Sequence, residues 1–341
     1  MATTAVSATP RSGMEALARM MGSAITDIPL KERSGNCSEA MPIYWHPDYT
    51  TPLDKGHRFP MGKYRALGQL LMANPIFVKQ VRQPRPSRLS DLTRAHQRDY
   101  VTAVMSGEDR DGFSKRLGLP FDKAVARRAS LAAAGSLAAC RAAMIHGLAY
   151  NAAGGSHHAD AAGGRGFCTF NDAAIAALAV MDENPRMRVS IFDLDVHQGD
   201  GTADMLRHHD RATTISLHCA DNYPHPKTRS DHDLSLAQNA GDGAYLDKLE
   251  EALGLLCASK PDLVIYNAGV DVHQDDRLGR LALTDQGLRQ REARVLGHVM
   301  AKNIPTAIVM GGGYGDDDMA IARRHLMVFE EGYRLLAAKR D

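Results

Sequence analysis

Short apolar runs alternate along the chain with segments of helical spacing. Five such runs each end at a cluster of polar residues. They occupy residues 148–155, 189–195, 213–218, 263–269 and 306–313. Apolar side chains recur at helical intervals in residues 171–183, 243–258, 285–301 and 317–338. Because strands that are covered by helices on both faces form continuous apolar runs, this alternation predicts an α/β fold. We expect a central, mostly parallel sheet between helical layers.

The chain divides into an N-terminal extension and a large domain. Residues 1–35 are rich in Ala, Thr, Ser and Gly and contain one short helical period, so we predict a flexible extension. Residues 36–341 contain no internal repeat, and no long Pro/Gly/Ser linker interrupts them from Pro42 onward. Their length fits one large domain as well as two small ones. The lack of a linker favours a single domain.

Composition excludes several classes of protein. The 341 residues are 44% apolar and 24% charged, and 41 Lys and Arg face 40 Asp and Glu, so the basic surplus typical of nucleic-acid binders is missing. Five scattered cysteines without a C-x-x-C pair argue against a disulfide framework and a thiolate zinc site. No stretch approaches the roughly 18 apolar residues of a membrane helix. We expect a cytoplasmic protein that binds neither nucleic acid nor membrane, although its acid-poor start also fits a transit peptide.

All five apolar runs carry reactive side chains at their carboxyl ends. In a parallel sheet these ends meet at one edge, which is where open α/β sheets bind ligands. Five polar clusters at one edge therefore predict a functional site there. The residues concerned are Ser156, His157, His158, Asp193, Asp195, His197, His218, Asp271 and Tyr314.

The segment around Asp195 has the pattern of a metal site. In an extended chain Asp193, Asp195 and His197 share a face, and such a group needs a cation to hold it together. An isolated D-x-D-x-H fits solvated acids at a strand end equally well, but Asp200 between two glycines favours an inward-facing group. Asp271 at the end of another strand is the candidate third ligand. Two carboxylates, one imidazole and an open position form a hydrolytic site, for zinc or for iron(II), cobalt or manganese.

Two further motifs offer acid–base chemistry and a hydrogen-bond donor. His157 and His158 follow two glycines, which permit an irregular backbone. Adjacent histidines are more often structural or solvent-exposed, but Asp193 and Asp200 are available to orient them as catalytic groups. Tyr314 follows three glycines with no phosphate-binding Lys or Ser/Thr after them, so we interpret its phenol as a donor to an oxyanion.

Four longer motifs together resemble a known family. They are GGSHHADAAGGRGFCTFND (154–172), DLDVHQGDGT (193–202), NAGVDVHQDDRLGRLALT (267–284) and GGGYG (311–315). In this order and spacing they resemble the zinc-dependent histone deacetylase superfamily, which includes acetoin-utilisation proteins and acetylpolyamine amidohydrolases. The chain looks most similar to the class IV and bacterial branch. The resemblance implies the arginase/deacetylase fold, a single domain with a sheet of about eight strands between helices.

The resemblance also implies a role for each reactive side chain. The zinc ligands would be Asp195, His197 and Asp271. His158 would act as the general base and His157 as an electrostatic stabiliser. The carboxylates behind them and the oxyanion donor would be Asp193, Asp200 and Tyr314.

Substrate and potassium sites are implied in the same way. The residues that line an acyl-lysine tunnel or bind its substrate would be Gly166, Phe167, Tyr223 and Leu278. A structural potassium ion would be bound by Asp193, Asp195, His197, Ser216 and Leu217. Arg58, in the weaker motif HRFPMGKY (57–64), would line an inner channel for the leaving acid.

The predicted activity is metal-dependent hydrolysis of an acetyl or acyl group from a lysine side chain of a peptide or protein. Acetylpolyamine or another small acylated amine is the alternative substrate, because the same chemistry serves both. A non-catalytic binding module with a metal fold is a third hypothesis, which the presence of Tyr314 and both histidines disfavours. Arginase-type enzymes need two metals and more bridging acids than this sequence offers. The sequence makes no prediction of the oligomeric state.

Overall fold

A computed structural model describes residues 41–109 and 112–339 of the chain. Within them eight strands form one sheet. The strands are β1 (Ile43–Tyr44), β2 (Val81–Arg82), β3 (Leu148–Asn151), β4 (Val189–Asp193), β5 (Ala212–Cys219), β6 (His232–Leu236), β7 (Leu263–Asn267) and β8 (Thr306–Val309). Every pairing is parallel, and the strand order is β2-β1-β3-β8-β7-β4-β5-β6. The predicted parallel sheet of about eight strands is thus confirmed.

Ten α-helices occur in the part of the chain that the structure describes. They are α1 (Lys63–Ala73), α2 (Leu89–Leu92), α3 (Arg98–Ser106), α4 (Phe113–Leu117), α5 (Lys123–His146), α6 (Asp172–Glu183), α7 (Asp200–Leu206), α8 (Asp242–Ala258), α9 (Asp285–Ala301) and α10 (Asp318–Ala338). Two short 3₁₀ helices cover Pro47–Tyr49 and Phe77–Gln80. None of the α-helices described is both long and apolar enough to cross a bilayer.

The five apolar runs correspond to β3, β4, β5, β7 and β8. Every residue of β3, β4, β7 and β8 is buried, because helices cover both faces of the sheet. The three remaining strands were not predicted from the sequence pattern. β1 and β2 are only two residues long, and edge strand β6 alternates between buried and more exposed positions.

The four helices predicted from spacing correspond to α6, α8, α9 and α10. Their sequences explain where three of them begin. The side chains of Asn171, Thr284 and Asp317 accept hydrogen bonds from main-chain N–H groups in the first turns of α6, α9 and α10. Such N-caps satisfy donors that the helix itself leaves unpaired. The 24-residue helix α5 was not indicated, since its many alanines are buried along most of its length and show little amphipathic contrast.

The register of the central strands aligns their carboxyl ends. Asp193 at the end of β4 pairs with Ser216 of β5 on one side and with Asn267 of β7 on the other. Asn267 in turn pairs with Val309 of β8. The loops that follow these strands therefore leave the sheet side by side. The predicted extension, residues 1–35, lies outside the described residues, and the domain boundary at residue 36 stays a prediction.

Candidate active site

The loops after β4 and β7 bring the three predicted metal ligands together. One ligand atom each from Asp195, His197 and Asp271 lies within 4.8 Å of the others. His197 Nδ1 is 3.0 Å from Asp195 Oδ1 and 3.1 Å from Asp271 Oδ2. All three side chains are buried, Asp271 completely. Residues 74 positions apart thus meet at one point.

The electrostatics of this cluster favour a cation. Burial and the repulsion of Asp195 raise the pKa of Asp271 to about 7. Burial alone would lower the pKa of His197, but hydrogen bonds to Asp195 and Asp271 raise it to about 10. Burial also opposes ionisation of Asp195, yet His157 and His197 hold its pKa well below the usual range. Two carboxylates and one imidazole that attract positive charge are suitable ligands for zinc and for other divalent metals.

Main-chain groups fix the two carboxylates. Gly312 N donates to Asp195 Oδ2 at 2.6 Å, and Val196 N donates to Asp271 Oδ1 at 2.9 Å. A Cβ atom on Gly312 would lie 1.9 Å from Asp271 Oδ2. Only glycine lets this loop approach the ligands so closely. The glycine run before Tyr314 therefore brings its backbone against the metal ligands.

The two adjacent histidines each face a carboxylate. His157 Nδ1 lies 2.7 Å from Asp193 Oδ2, and His158 Nδ1 lies 2.6 Å from Asp200 Oδ1. Their Nε2 atoms are 3.2 Å apart, and His157 Nε2 is 3.7 Å from Asp195 Oδ1. Both Nε2 atoms thus lie on the side of the metal ligands.

The histidines differ in their affinity for a proton. Burial disfavours charge on both, but Asp193 and Asp195 raise the pKa of His157 to about 9. Burial and the charge of His157 lower the pKa of His158 to about 3, against the opposing effect of Asp200. At neutral pH the pair therefore carries one positive charge, on His157, while His158 is neutral. His158 keeps a free lone pair, as a general base requires.

Two residues that the sequence did not single out position the histidines. Arg165 Nε donates to the main-chain oxygen of His158 at 2.8 Å, and its guanidinium lies 3.3 Å from Asp200 Oδ2. The Asp172 carboxylate accepts from the main-chain N–H groups of Gly155 and Ser156, at 3.1 and 2.8 Å. Both residues fall within the motif 154–172, but no local pattern distinguishes them from ordinary surface or capping residues.

Tyr314 closes the site from the other side. Its ring centroid lies 6.1 Å from those of His197 and Phe167 and 6.3 Å from that of Phe59. Burial, with added repulsion from Asp195, raises the pKa of the phenol well above its usual value, so it stays a hydrogen-bond donor. A cavity lies between the rings of Tyr314, Phe167 and Phe59 and the two histidines.

Two of the four predicted substrate residues line the same cavity, and Tyr223 contacts His158 at its wall. Gly166 and Phe167 line it. A Cβ atom on Gly166 would lie 2.8 Å from His158 Cδ2, so this position also requires glycine. Tyr223 packs edge-on against His158 with ring centroids 4.7 Å apart, and the half-buried Leu278 accepts a hydrogen bond from Asn222. Phe59, which sequence reasoning missed, lines the cavity beside Phe167, with ring centroids 5.3 Å apart.

The prediction for Arg58 is wrong. Its side chain is exposed and does not line the cavity, since the neighbouring Phe59 turns inward. Two other cationic side chains, those of Arg128 and Lys63, are buried instead. Arg128, which is 4% exposed, lines the cavity, and the fully buried Lys63 donates to the main-chain oxygens of Gly311 and Gly313, at 3.3 and 3.1 Å.

Of the residues predicted to bind potassium, Asp195 and His197 are also predicted metal ligands, and the other three lie in β4 and β5. Asp193 and Ser216 are neighbours in the sheet and line a small cavity. Ser216 Oγ lies 3.0 Å from His218 Nδ1, so these two polar side chains near the end of β5 contact each other. Leu217 is buried beside them. Potassium binding by Asp193, Asp195, His197, Ser216 and Leu217 stays a prediction.

Comparison with known proteins gives consistent similarities. The family model for the histone deacetylase domain matches residues 57–329. The chain is 43% identical over 289 residues to an uncharacterised protein of Picosynechococcus sp., covering 84% of this chain and 96% of that protein. It is 28% identical over 307 residues to histone deacetylase 2 of Arabidopsis thaliana, covering 84% and 76%. The fold is similar to that of an acetylpolyamine aminohydrolase from Burkholderia pseudomallei, with a TM-score of 0.67, 23% identity and coverage of 86% and 98%. The predicted arginase/deacetylase fold is confirmed.

Proposed function

The chain belongs to the histone deacetylase family, and from this premise we propose that it hydrolyses the amide bond between an acyl group and the side-chain nitrogen of lysine in a peptide or protein. The family supports a deacetylase-type amide hydrolase. The observation that carries the finer proposal is one cavity lined by two histidines, a phenol and Asp195, with His197 and Asp271 buried against Asp195. These are the groups that such a hydrolysis needs.

Asp195, His197 and Asp271 would hold a zinc ion, with iron(II) or cobalt as alternatives. When bound, such an ion supplies Lewis acidity, which polarises the acyl carbonyl and lowers the pKa of water beside it. His158 Nε2 accepts a proton from the attacking water and returns it to the nitrogen as the C–N bond breaks. The products are a carboxylic acid and a free amine.

The remaining groups stabilise charge in the transition state. The protonated His157, held by Asp193, places a positive charge near the developing oxyanion. Tyr314 donates its phenol proton to the same oxygen. Asp200 keeps His158 Nδ1 protonated, so that Nε2 carries the lone pair. The aromatic rings of Phe59 and Phe167 exclude water from an aliphatic chain that enters between them.

A small acylated amine is the second candidate substrate. The likeness in fold to an acetylpolyamine aminohydrolase favours this possibility. The name of the Arabidopsis thaliana relative, a histone deacetylase, favours acyl-lysine in a protein. Both substrates present an acylated primary amine on an aliphatic chain, so the chemistry around Asp195 and His158 is the same for each.

A substrate panel tests the proposal. The zinc-loaded protein is assayed with acetyl-lysine peptides, peptides with longer acyl groups, and N-acetylspermidine, with Tyr314→Phe as the control. We expect hydrolysis of the lysine peptides and loss of most activity in the variant. Preference for N-acetylspermidine would establish the second candidate. Stoichiometric metal without turnover of any acylated amine would contradict the enzymatic proposal and favour a binding module.

A further inference from the structure

We propose that Asp276 is a positioning residue that holds Tyr314 in register with the metal ligands. This inference rests on the proposed function, in which the Tyr314 phenol donates to the oxyanion. Asp276 stands in the acid-rich run after Asp271, which by sequence resembles a surface patch of ion pairs. Its neighbour Asp275 is indeed exposed and pairs with Arg324. Asp276 instead turns inward and makes no such pair with any side chain in residues 41–109 and 112–339.

The backbone of Tyr314 is bound at both of its polar groups. Asp276 Oδ2 accepts the main-chain N–H of Tyr314 at 2.6 Å. The main-chain N–H of Arg277 donates to the Tyr314 carbonyl oxygen at 3.2 Å. The ring itself lies 6.3 Å from the Phe59 ring and 6.1 Å from the Phe167 ring, measured between centroids. The backbone contacts to residues 276–277 therefore set where the phenol oxygen lies.

The other oxygen of Asp276 ties this contact to the metal site. Asp276 Oδ1 accepts from the main-chain N–H groups of Leu278 and Gly279, at 2.9 and 2.8 Å. That turn packs against the Asp271 backbone so tightly that a Cβ on Gly279 would lie 2.0 Å from the Asp271 carbonyl oxygen. One carboxylate thus joins the loop of a metal ligand to the loop of the oxyanion donor.

Only a carboxylate satisfies all of these donors. Three main-chain N–H groups converge on Asp276, and both of its oxygens accept. An asparagine has the same shape but carries an NH₂ group in place of one oxygen. In Asp276→Asn either the N–H of Tyr314 or those of Leu278 and Gly279 would face another donor. The substitution therefore releases one of the two loops without creating a cavity.

A double-mutant cycle tests this role with zinc-loaded protein and an acetyl-lysine peptide. The four proteins are wild type, Asp276→Asn, Tyr314→Phe and the double variant. We expect Asp276→Asn to lower kcat about 10- to 100-fold, with zinc content unchanged and KM within about twofold. In the Tyr314→Phe background the same change should lower kcat by less than about twofold, because the group it positions is already gone. An equal loss of kcat in both backgrounds would overturn the proposal.

Asp316→Asn is the matched control. Asp316 lies two residues after Tyr314 and pairs with Arg277, but both side chains are exposed. This variant removes a carboxylate from the same two segments without touching the Tyr314 backbone. We expect kcat within about twofold of wild type. If Asp276→Asn does not accumulate as folded protein, Asp276→Glu enters the same cycle, since it keeps the charge and displaces the oxygens by one methylene. A kcat loss in Asp316→Asn as large as in the Asp276 variant would also overturn the proposal.

A second readout separates this inference from the enzymatic proposal. With fluorotyrosine incorporated, the ¹⁹F resonance of Tyr314 is assigned as the one missing from Tyr314→Phe. We expect Asp276→Asn to shift or broaden this resonance, and Asp316→Asn to leave it unchanged. If wild type hydrolyses no acylated amine but the resonance responds in this way, the enzymatic proposal fails and the positioning of Tyr314 stands. A Tyr314 resonance that is unchanged in Asp276→Asn would show that the positioning role itself is wrong.

Discussion

Asp271→Asn should remove the metal site and, at the same time, stabilise the protein in the absence of metal. The Asp271 carboxylate is fully buried beside that of Asp195, and burial with this repulsion raises its pKa from 3.8 to about 7. Asparagine has the shape of the protonated acid and still accepts the hydrogen bond from Val196 N. It therefore keeps the local packing and removes the unfavourable charge, although it also loses the contact of Asp271 Oδ2 with His197 Nδ1 at 3.1 Å.

The magnitude follows from linkage between ionisation and folding. Because the pKa of Asp271 is higher in the folded than in the unfolded protein, its ionisation lowers stability as pH rises from about 4 through 7. A rise of this pKa from 3.8 to about 7 corresponds to about 4 kcal/mol at pH 8 and above. We expect Asp271→Asn to recover about 1 to 4 kcal/mol of unfolding free energy in the presence of a chelator. For a domain of this size that is a rise of several degrees in Tm.

Thermal unfolding with and without zinc measures both effects. Wild type should gain stability as zinc is added, because the ion binds the folded state. Asp271→Asn should unfold at a higher temperature than wild type in chelator, and zinc should not raise it further. A variant that is less stable than wild type in chelator would refute the electrostatic reasoning. A variant that binds zinc as tightly as wild type would refute the assignment of Asp271 as a ligand.

Three further predictions concern the same site. Tyr314→Phe should lower kcat about 100- to 1,000-fold without loss of bound metal, as measured by steady-state kinetics and metal analysis; wild-type turnover in this variant would contradict its role. Zinc binding at pH 7 should release about one to two protons, since the pKa values of His197 and Asp271 are raised to about 10 and 7; calorimetry in buffers of different ionisation enthalpy measures this number, and binding without proton release would be inconsistent with it. Arg58→Gln should leave kcat within about twofold, whereas Lys63→Met should lower it, because Lys63, unlike the exposed Arg58, donates to the loop before Tyr314; equal effects would contradict this distinction.

A buried arginine also holds the site through main-chain carbonyl groups. Arg291 is fully buried, donates to the oxygen of Gly269 at 2.6 Å and lies 3.4 Å from that of Leu194. Its charge is balanced by Glu292, which accepts from two of its nitrogens. Leu194 directly precedes Asp195, and Gly269 lies two residues before Asp271. One side chain from α9 therefore links the two loops that carry metal ligands.

Much of the site was predictable because strand periodicity and sheet geometry act together. A continuous apolar run identifies a buried strand, and the residues that follow it must lie at the carboxyl edge of a parallel sheet. This reasoning placed Asp195, His197 and Asp271 at one edge without knowledge of the strand order. The four motifs then indicated the family, which the similarity over residues 57–329 confirms.

Loop side chains were harder to predict, because their directions depend on contacts with distant parts of the chain. The motif at residues 57–64 indicated that Arg58 lines an inner channel. In the structure Phe59 turns inward and Arg58 is exposed. Asp275 and Asp276 have the same chemistry and are adjacent, yet only Asp276 meets the N–H of Tyr314. The spacing of apolar and polar residues in a loop does not indicate which of its side chains turn inward.

The sequence by itself determined the central strands, the edge at which they end and the chemistry collected there, since these depend on local spacing and on the parallel arrangement it requires. Only the tertiary structure decided which loops become neighbours. In the order β3-β8-β7-β4, strand β8 lies between β3, which the two histidines follow, and β7 and β4, which the metal ligands follow. Gly312 follows β8, and its main-chain N therefore lies 2.6 Å from Asp195 Oδ2. Strand order results from the packing of whole helices on the sheet, a long-range property that no local pattern encodes.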